Sequence, residues 1–290
     1  MGGRRRVLSV CAVFAAFVGV AAGQTSAGAV PTFSHYVALG DSYASGPLIP
    51  NQSLHPVGCG RSDHDYAGDL ARSMGIPSLV DVSCGGADTT DMTSPQSVPL
   101  GGTNQPQFDA LTAATDLVTV TIGGNDIGFT SIVETCAEQS ITNPFGAPCR
   151  KHYTAGGTDQ LAAAVDATAP KVAAVLAGIR QRAPHARVVV VGYLRILPPT
   201  TGCWPVMPIA AGDVPYLDGV EHELNAMLGA RAAAAGDVFV NPGNTTGHDV
   251  CQPESRKWVE GVVPTNLAFP VHPNAAGMAE VASLLRAAVG

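Results

Sequence analysis

The sequence predicts an α/β fold in which a central parallel sheet is covered by helices on both faces. Two observations predict it. Five short apolar runs, Tyr36–Leu39, Leu79–Val82, Leu117–Ile122, Val188–Val191 and Val238–Val240, are continuous rather than alternating, which suits strands buried on both sides. Segments of helical character, Tyr66–Met74, Gln107–Ala114, Leu161–Arg182, Val214–Ala235 and Ala275–Ala288, separate the runs and close the chain. Such alternation implies parallel strands joined by crossover helices.

Ahead of the first strand, Arg4-Arg5-Arg6, an apolar stretch from Val7 to about Gly23, and Ala27-Gly28-Ala29 reproduce the three regions of a secretory signal peptide. The stretch is short and glycine-interrupted for a membrane span, so residues 1–29 are expected to be cleaved and residues 30–290 to form one domain. Loss of the three arginines takes the formal net charge from −7 to −10, which argues against nucleic acid and anionic membrane surfaces as partners. Cys11 is lost with the leader, and Cys59, Cys84, Cys136, Cys149, Cys203 and Cys251 remain. An even count in an exported chain reads as disulfides, although sequence alone does not choose among the pairings. A metal centre has little support: no CxxC pair is present, and Glu221-His222-Glu223 does not open an HExxH motif.

The strand ends carry the chemistry. The first run stops at Gly40-Asp41-Ser42-Tyr43, where Gly40 removes bulk and Ala44, Ser45 and Gly46 keep the next turn open. Ser42 can therefore present its hydroxyl at the carboxyl edge of the sheet, where open parallel sheets bind their ligands. The second run ends at Cys84-Gly85-Gly86 and the third at Gly123-Gly124-Asn125-Asp126. None of these turns reads GxGxxG with an acidic residue one strand further on, which disfavours a dinucleotide site.

Acyl transfer needs a nucleophile, a base, and donors aimed at the oxygen that becomes negative in the tetrahedral intermediate. Ser42 offers a hydroxyl and a backbone N–H, Gly86 a second unhindered N–H, and Asn125 a side-chain amide. His272, in Phe269-Pro270-Val271-His272-Pro273, stands just before the last helix as the candidate base. Taken singly, each has a plainer role: a turn glycine, a helix cap, a surface histidine. Four such elements in this order make a coherent set.

These motifs resemble those of the SGNH (GDSL-type) hydrolases, and especially the secreted actinobacterial lipases and esterases of that family. The resemblance spans nearly the whole chain after the leader. It implies a three-layer α/β/α flavodoxin-like fold, Ser42 as nucleophile, His272 as general base, and an oxyanion hole of Ser42, Gly86 and Asn125. It further implies the pairings Cys59–Cys84, Cys136–Cys149 and Cys203–Cys251, and no cofactor. The chain departs from the pattern in one respect: many members carry Asp three residues before the histidine, and here that residue is Phe269. The Phe269 carbonyl is the expected substitute, since a carbonyl also fixes the imidazole tautomer. Asp41, Asp126 and Asp249 are the alternative acids.

Apolar residues flank these motifs: Pro47–Pro50 after the serine, Ile127 and Phe129 after Asn125, and Val262, Val263, Leu267 and Phe269 before the histidine. They are expected to line an acyl groove or to pack as core. With only Trp204 and Trp258, an aromatic platform for a glycan is not evident. The expected function is a secreted monomeric lipase or esterase acting on small-molecule or lipid esters, without nucleic acid, metal or a stable membrane anchor. An exported lipid- or glycan-binding protein on the same fold, and an acyltransferase using the same site, are the other readings. The enzyme is favoured because a binder needs no set of Ser42, Asn125 and His272.

Overall fold

The computed structural model describes residues 32–290 and the three N-terminal residues; residues 4–31, and with them nearly all of the expected signal peptide, lie outside the described residues. The strands are β1 His35–Gly40, β2 Ser78–Asp81, the two-residue β3 Gln96–Ser97 and β4 Thr103–Asn104, β5 Leu117–Thr121, β6 Arg187–Val191 and β7 Val238–Val240. β3 and β4 form a separate antiparallel pair. The other five make one parallel sheet in the order β2-β1-β5-β6-β7. In that order the chain passes from β1 outward to β2 and then back across to β5. The crevice at the carboxyl ends of β1 and β5 is therefore the topological switch point.

Helices α1 Ser42–Ser45, α2 Tyr66–Met74, α3 Phe129–Thr142, α4 Pro148–Thr154, α5 Gln160–Arg182, α6 Val214–Ala235 and α7 Ala275–Val289 connect and flank the strands. Strand side chains alternate between the two layers they form. Tyr36, Ala38, Val189 and Val191 pack in one buried cluster with Leu70 of α2 and Leu285 of α7. Val37, Leu39, Val118 and Val190 pack in the other with Ile179 of α5 and Leu228 of α6. The first layer also buries two threonines of β5. Thr119 is satisfied by the Tyr36 hydroxyl at 2.7 Å and Thr121 by the Tyr66 hydroxyl at 3.0 Å. Side-chain caps set three helix starts: Asp65 accepts from Gly68, Asp159 from Leu161 and Ala162, and Asn274 from Gly277.

Two expectations need correction. The helix expected over Gln107–Ala114 is a single helical turn, Gln107–Ala110, after which Leu111 is already extended. Its first side chain is committed elsewhere: Gln107 accepts from the Gly40 N–H at 2.7 Å and donates to the Gly40 carbonyl at 2.9 Å, satisfying both polar groups where β1 ends. Helices α3 and α4 went unrecognised because neither start carries a side-chain cap; Gly128 opens α3 in the left-handed region and Ala147 precedes α4. The side-chain cap that usually signals a start is absent from both, and only Pro148 at the first position of α4 marks one.

Gly40 has φ +143°, and a Cβ there would lie 2.4 Å from the Thr121 carbonyl oxygen. Gly75 has φ +67° but open space around it. In chemical denaturation, Gly40→Ala is expected to cost on the order of 3 kcal/mol, against about 1 kcal/mol for Gly75→Ala.

Candidate active site

The carboxyl ends of β1, β2 and β5 and the segment before α7 meet in one place. At the end of β1 the Asp41 side chain caps the short α1 by accepting from Tyr43 N–H at 2.9 Å, and Gly46 ends that helix in the left-handed region. The cap places Ser42 at the first helical position. Its Oγ lies 2.7 Å from Nε2 of His272, 230 residues further on. On the far side of the ring, Nδ1 lies 2.8 Å from the Pro270 carbonyl. A carbonyl only accepts, so Nδ1 carries the proton and Nε2 is free to accept from the serine hydroxyl. Burial pushes the His272 pKa down from 6.5 to about 4, against the smaller opposing effect of the Pro270 carbonyl. The imidazole is thus a neutral base across the physiological range.

The carbonyl that orients His272 is therefore that of Pro270, which corrects the expectation for Phe269. The Phe269 carbonyl is occupied by the backbone N–H of His272 at 3.1 Å, closing a turn across residues 269–272. Val271 inside that turn has φ +60°, a strained value for a β-branched residue. The Tyr43 hydroxyl donates to the Val271 carbonyl at 2.8 Å and ties the strained turn to the serine turn. Phe269 contributes its ring instead, edge-on to the imidazole at 5.3 Å between centroids. None of the three alternative acids bonds His272: Asp41 binds Tyr43 and Tyr193, Asp126 binds Thr89 and Lys171, and Asp249 binds Cys251 and Gln252.

The expected oxyanion donors gather at the same strand ends. Asn125 donates one side-chain N–H to the Ala87 carbonyl at 2.8 Å, which fixes the amide and leaves its second N–H available. Gly86, beside Ala87, has φ +78°. Among the described residues, the N–H groups of Ser42 and Gly86 donate to no backbone carbonyl. Asp126 holds the two turns together through the Thr89 N–H at 3.0 Å and hydroxyl at 2.6 Å.

Three further residues organise the site and escaped the sequence reading. The Tyr193 hydroxyl accepts from the Gly124 N–H at 2.7 Å and donates to Asp41 at 2.6 Å, joining the β1 and β5 turns. Its position two residues beyond β6, at the carboxyl edge of the sheet, was the available signal. Gln107 has been described above. Glu260, the one acid in an apolar stretch, binds Asn266 and the Asn274 cap at 2.8 Å each, while its backbone N–H donates to the His272 carbonyl at 2.9 Å. Burial would raise its pKa, but the hydrogen bonds outweigh that and hold it at about 2.

From Ser42 and Asn125 a narrow cleft runs between α3, α6 and the segment after β6. Ile127 and Phe129, expected to line a groove or to pack as core, do both, and Leu197, Met207, Val220 and Leu224 line the cleft with them. The residues after Ser42 and before His272 do not form this apolar wall. Ile49 is buried in the core, whereas Leu48, Val263, Leu267 and Phe269 are exposed at the surface. The six cysteines join as Cys59–Cys84, Cys136–Cys149 and Cys203–Cys251. Among the described residues no group of three His, Cys, Asp or Glu side chains is placed to hold a metal ion.

A serine hydroxyl on a neutral imidazole, free amides beside it and an adjoining apolar cleft define the class of serine acyl hydrolases. Comparison with known proteins agrees with that class. Residues 38–280 match the model of the GDSL-like Lipase/Acylhydrolase family. The chain is 39% identical to Lipase 2 of Streptomyces coelicolor, over 86% of this chain and 83% of that protein. Among solved structures, phospholipase A1 from Streptomyces albidoflavus NA297 superposes with a TM-score of 0.72 at 30% identity, covering 89% of this chain and all of that one. The extracellular lipase of Streptomyces rimosus follows at 0.69 and 27%, covering 88% and 99%. The chain belongs to the GDSL-like lipase/acylhydrolase family, and with it to the carboxylic ester hydrolases.

Tyr193→Phe keeps the ring and removes the link between Asp41 and Gly124. It is expected to cost about 2 to 3 kcal/mol in urea denaturation, because two buried groups lose their partner, and to lower kcat in the variant that remains folded.

Proposed function

We propose that this chain is an exported lipase or esterase that hydrolyses apolar acyl esters through an acyl-enzyme on Ser42. The single observation that carries the reading is the 2.7 Å contact between Ser42 Oγ and a His272 Nε2 kept unprotonated by the Pro270 carbonyl. Ser42 attacks the ester carbonyl while Nε2 takes its proton. The amides of Ser42, Gly86 and Asn125 receive the developing oxyanion. The imidazolium then gives its proton to the departing alcohol, and water, activated by the same nitrogen, releases the acid. The acyl chain lies in the cleft lined by Phe129, Met207 and Leu224. Pro270 orients the base in place of a carboxylate.

Export as a monomer after cleavage of residues 1–29 is part of this reading. The basic, apolar and small-residue regions of the leader support it, as do three disulfides, which persist in oxidising compartments.

Hydrolysis of p-nitrophenyl esters of graded chain length tests the proposal. Ser42→Ala is expected to lower kcat by ~10⁴ or more, and Asn125→Ala by ~10² to 10³. Activity unaffected by Ser42→Ala would refute the assignment.

The lowered His272 pKa also sets the pH response. The base is active when unprotonated, so the acid limb of kcat/KM is expected near pH 4 to 5 rather than near 6.5. The unfolded chain binds a proton between pH 6.5 and 4 that the folded chain refuses. The His272 contribution to stability is thus complete above 6.5 and declines as pH falls toward 4. A kcat/KM profile and thermal unfolding over the same range check both statements.

A further inference from the structure

The cleft beside Ser42 is apolar along most of its wall, yet it contains a carboxyl group that the proposed chemistry does not use. Glu221 projects from α6 among Leu217, Val220 and Leu224 and lines the same cleft as Ser42 and Phe129. One of its oxygens, Oε2, accepts the backbone N–H of Ile196 at 2.8 Å. The other, Oε1, has no hydrogen-bond partner among the described residues.

The charged neighbours leave this group uncompensated. Arg195, the nearest cation, is committed to Asp218 at 2.5 Å and to the Gly243 carbonyl. From the serine turn, Tyr43 and Asp41 face the cleft; from the segment after β6, Tyr193 does so; and α3 brings only apolar side chains such as Phe129 and Ile132. Tyr43 donates its proton to Val271 and Tyr193 to Asp41, so neither is free to donate to Glu221. Burial, reinforced by Asp218, raises the Glu221 pKa to about 8 against the Ile196 amide and Arg195. Burial thus favours the uncharged acid, with an O–H to donate, at neutral pH.

We propose that Glu221 is a specificity-determining residue of the acyl cleft, selecting acyl chains that carry a hydrogen-bonding oxygen, such as a hydroxyl, where they pass its free carboxyl oxygen. The proposal rests on the ester-hydrolase reading and deepens it. An oxygenated chain satisfies the acid, whereas an unsubstituted chain buries it unpaired. When the acid ionises, an unsubstituted chain must lie against an unpaired carboxylate and binds still less well.

The test compares ethyl acetate, ethyl octanoate and ethyl hydroxyoctanoates with the hydroxyl moved along the chain, followed by titration of released acid at pH 7 and pH 9. The wild type is expected to prefer at least one hydroxyoctanoate over octanoate by ~10-fold in kcat/KM at pH 7, with KM for octanoate rising several-fold by pH 9. Glu221→Gln, which keeps an acceptor for Ile196 and a donor for substrate, is expected to retain the preference and to lose the alkaline rise. Glu221→Leu is expected to favour octanoate, with thermal unfolding checking that the fold survives. Absence of any preferred hydroxyoctanoate, a preference unchanged in Glu221→Leu, or an alkaline rise that persists in Glu221→Gln overturns the assignment. If ethyl acetate is hydrolysed, such a result sinks only the role of Glu221. If the wild type hydrolyses no ester, the reading beneath it fails as well.

Discussion

The buried carboxyl group of Asp41 is the interaction on which the rest of the site depends. It sits where β1 ends, caps the helix that presents Ser42, and accepts the Tyr193 hydroxyl that also holds the β5 turn. Burial raises its pKa to about 7, so the hydrogen bonds from Tyr193 and Tyr43 only partly offset desolvation. Such a group is tolerated where its partners are fixed in place. Here the fixing comes from the sheet: Gly40 pairs with Thr121 across the switch point, and both polar groups of Gly40 are taken up by Gln107. The geometry around Ser42 is thus set by buried side chains hydrogen-bonded to the main chain and to one another before any substrate arrives.

The histidine side is built differently. No carboxylate touches His272; the orienting group is a main-chain carbonyl, held by a turn with a strained valine at its centre. A carbonyl selects the tautomer as well as a carboxylate does, but it stabilises the imidazolium less. Strain at Val271 persists because its surroundings over-determine it. Tyr43 grips its carbonyl, Glu260 grips the next one, and Asn274 anchors the start of α7 immediately after Pro273. In the proposed chemistry this trades imidazolium stabilisation for a base that stays neutral well below pH 6.5.

Long connections carry most of the cleft, and the disulfides fasten them where the sheet does not reach. Cys59–Cys84 ties the segment after α1 to the turn that bears Gly86. Cys136–Cys149 joins α3 to α4, and Cys203–Cys251 joins the cleft-lining segment after β6 to the segment after β7. Each closes a loop whose entropy would otherwise oppose order, worth ~3 kcal/mol. Glu221 lies among these fastened segments, where one of its carboxyl oxygens accepts the Ile196 N–H.

The five sheet strands, the long helices and the candidate residues Ser42, Gly86, Asn125 and His272 are all readable from the amino-acid order alone. These are legible because continuous apolar runs, small residues at strand ends and helical periodicity are local signals, each written within a few residues. The remaining features depend on groups far apart in the chain and emerge only when it folds. Asp41 and Tyr193 are 152 residues apart, and which carbonyl faces Nδ1 depends on a turn conformation that Val271 would not adopt unaided. Of the apolar residues beside the motifs, Ile127 and Phe129 line the cleft, whereas those after Ser42 and before His272 do not, because proximity in sequence says little about which side of a turn faces the crevice. The rest of the wall comes from α3, which begins without a cap, from the segment after β6, and from α6, whose Glu221 faces the crevice only because the fold packs α6 beside the serine turn.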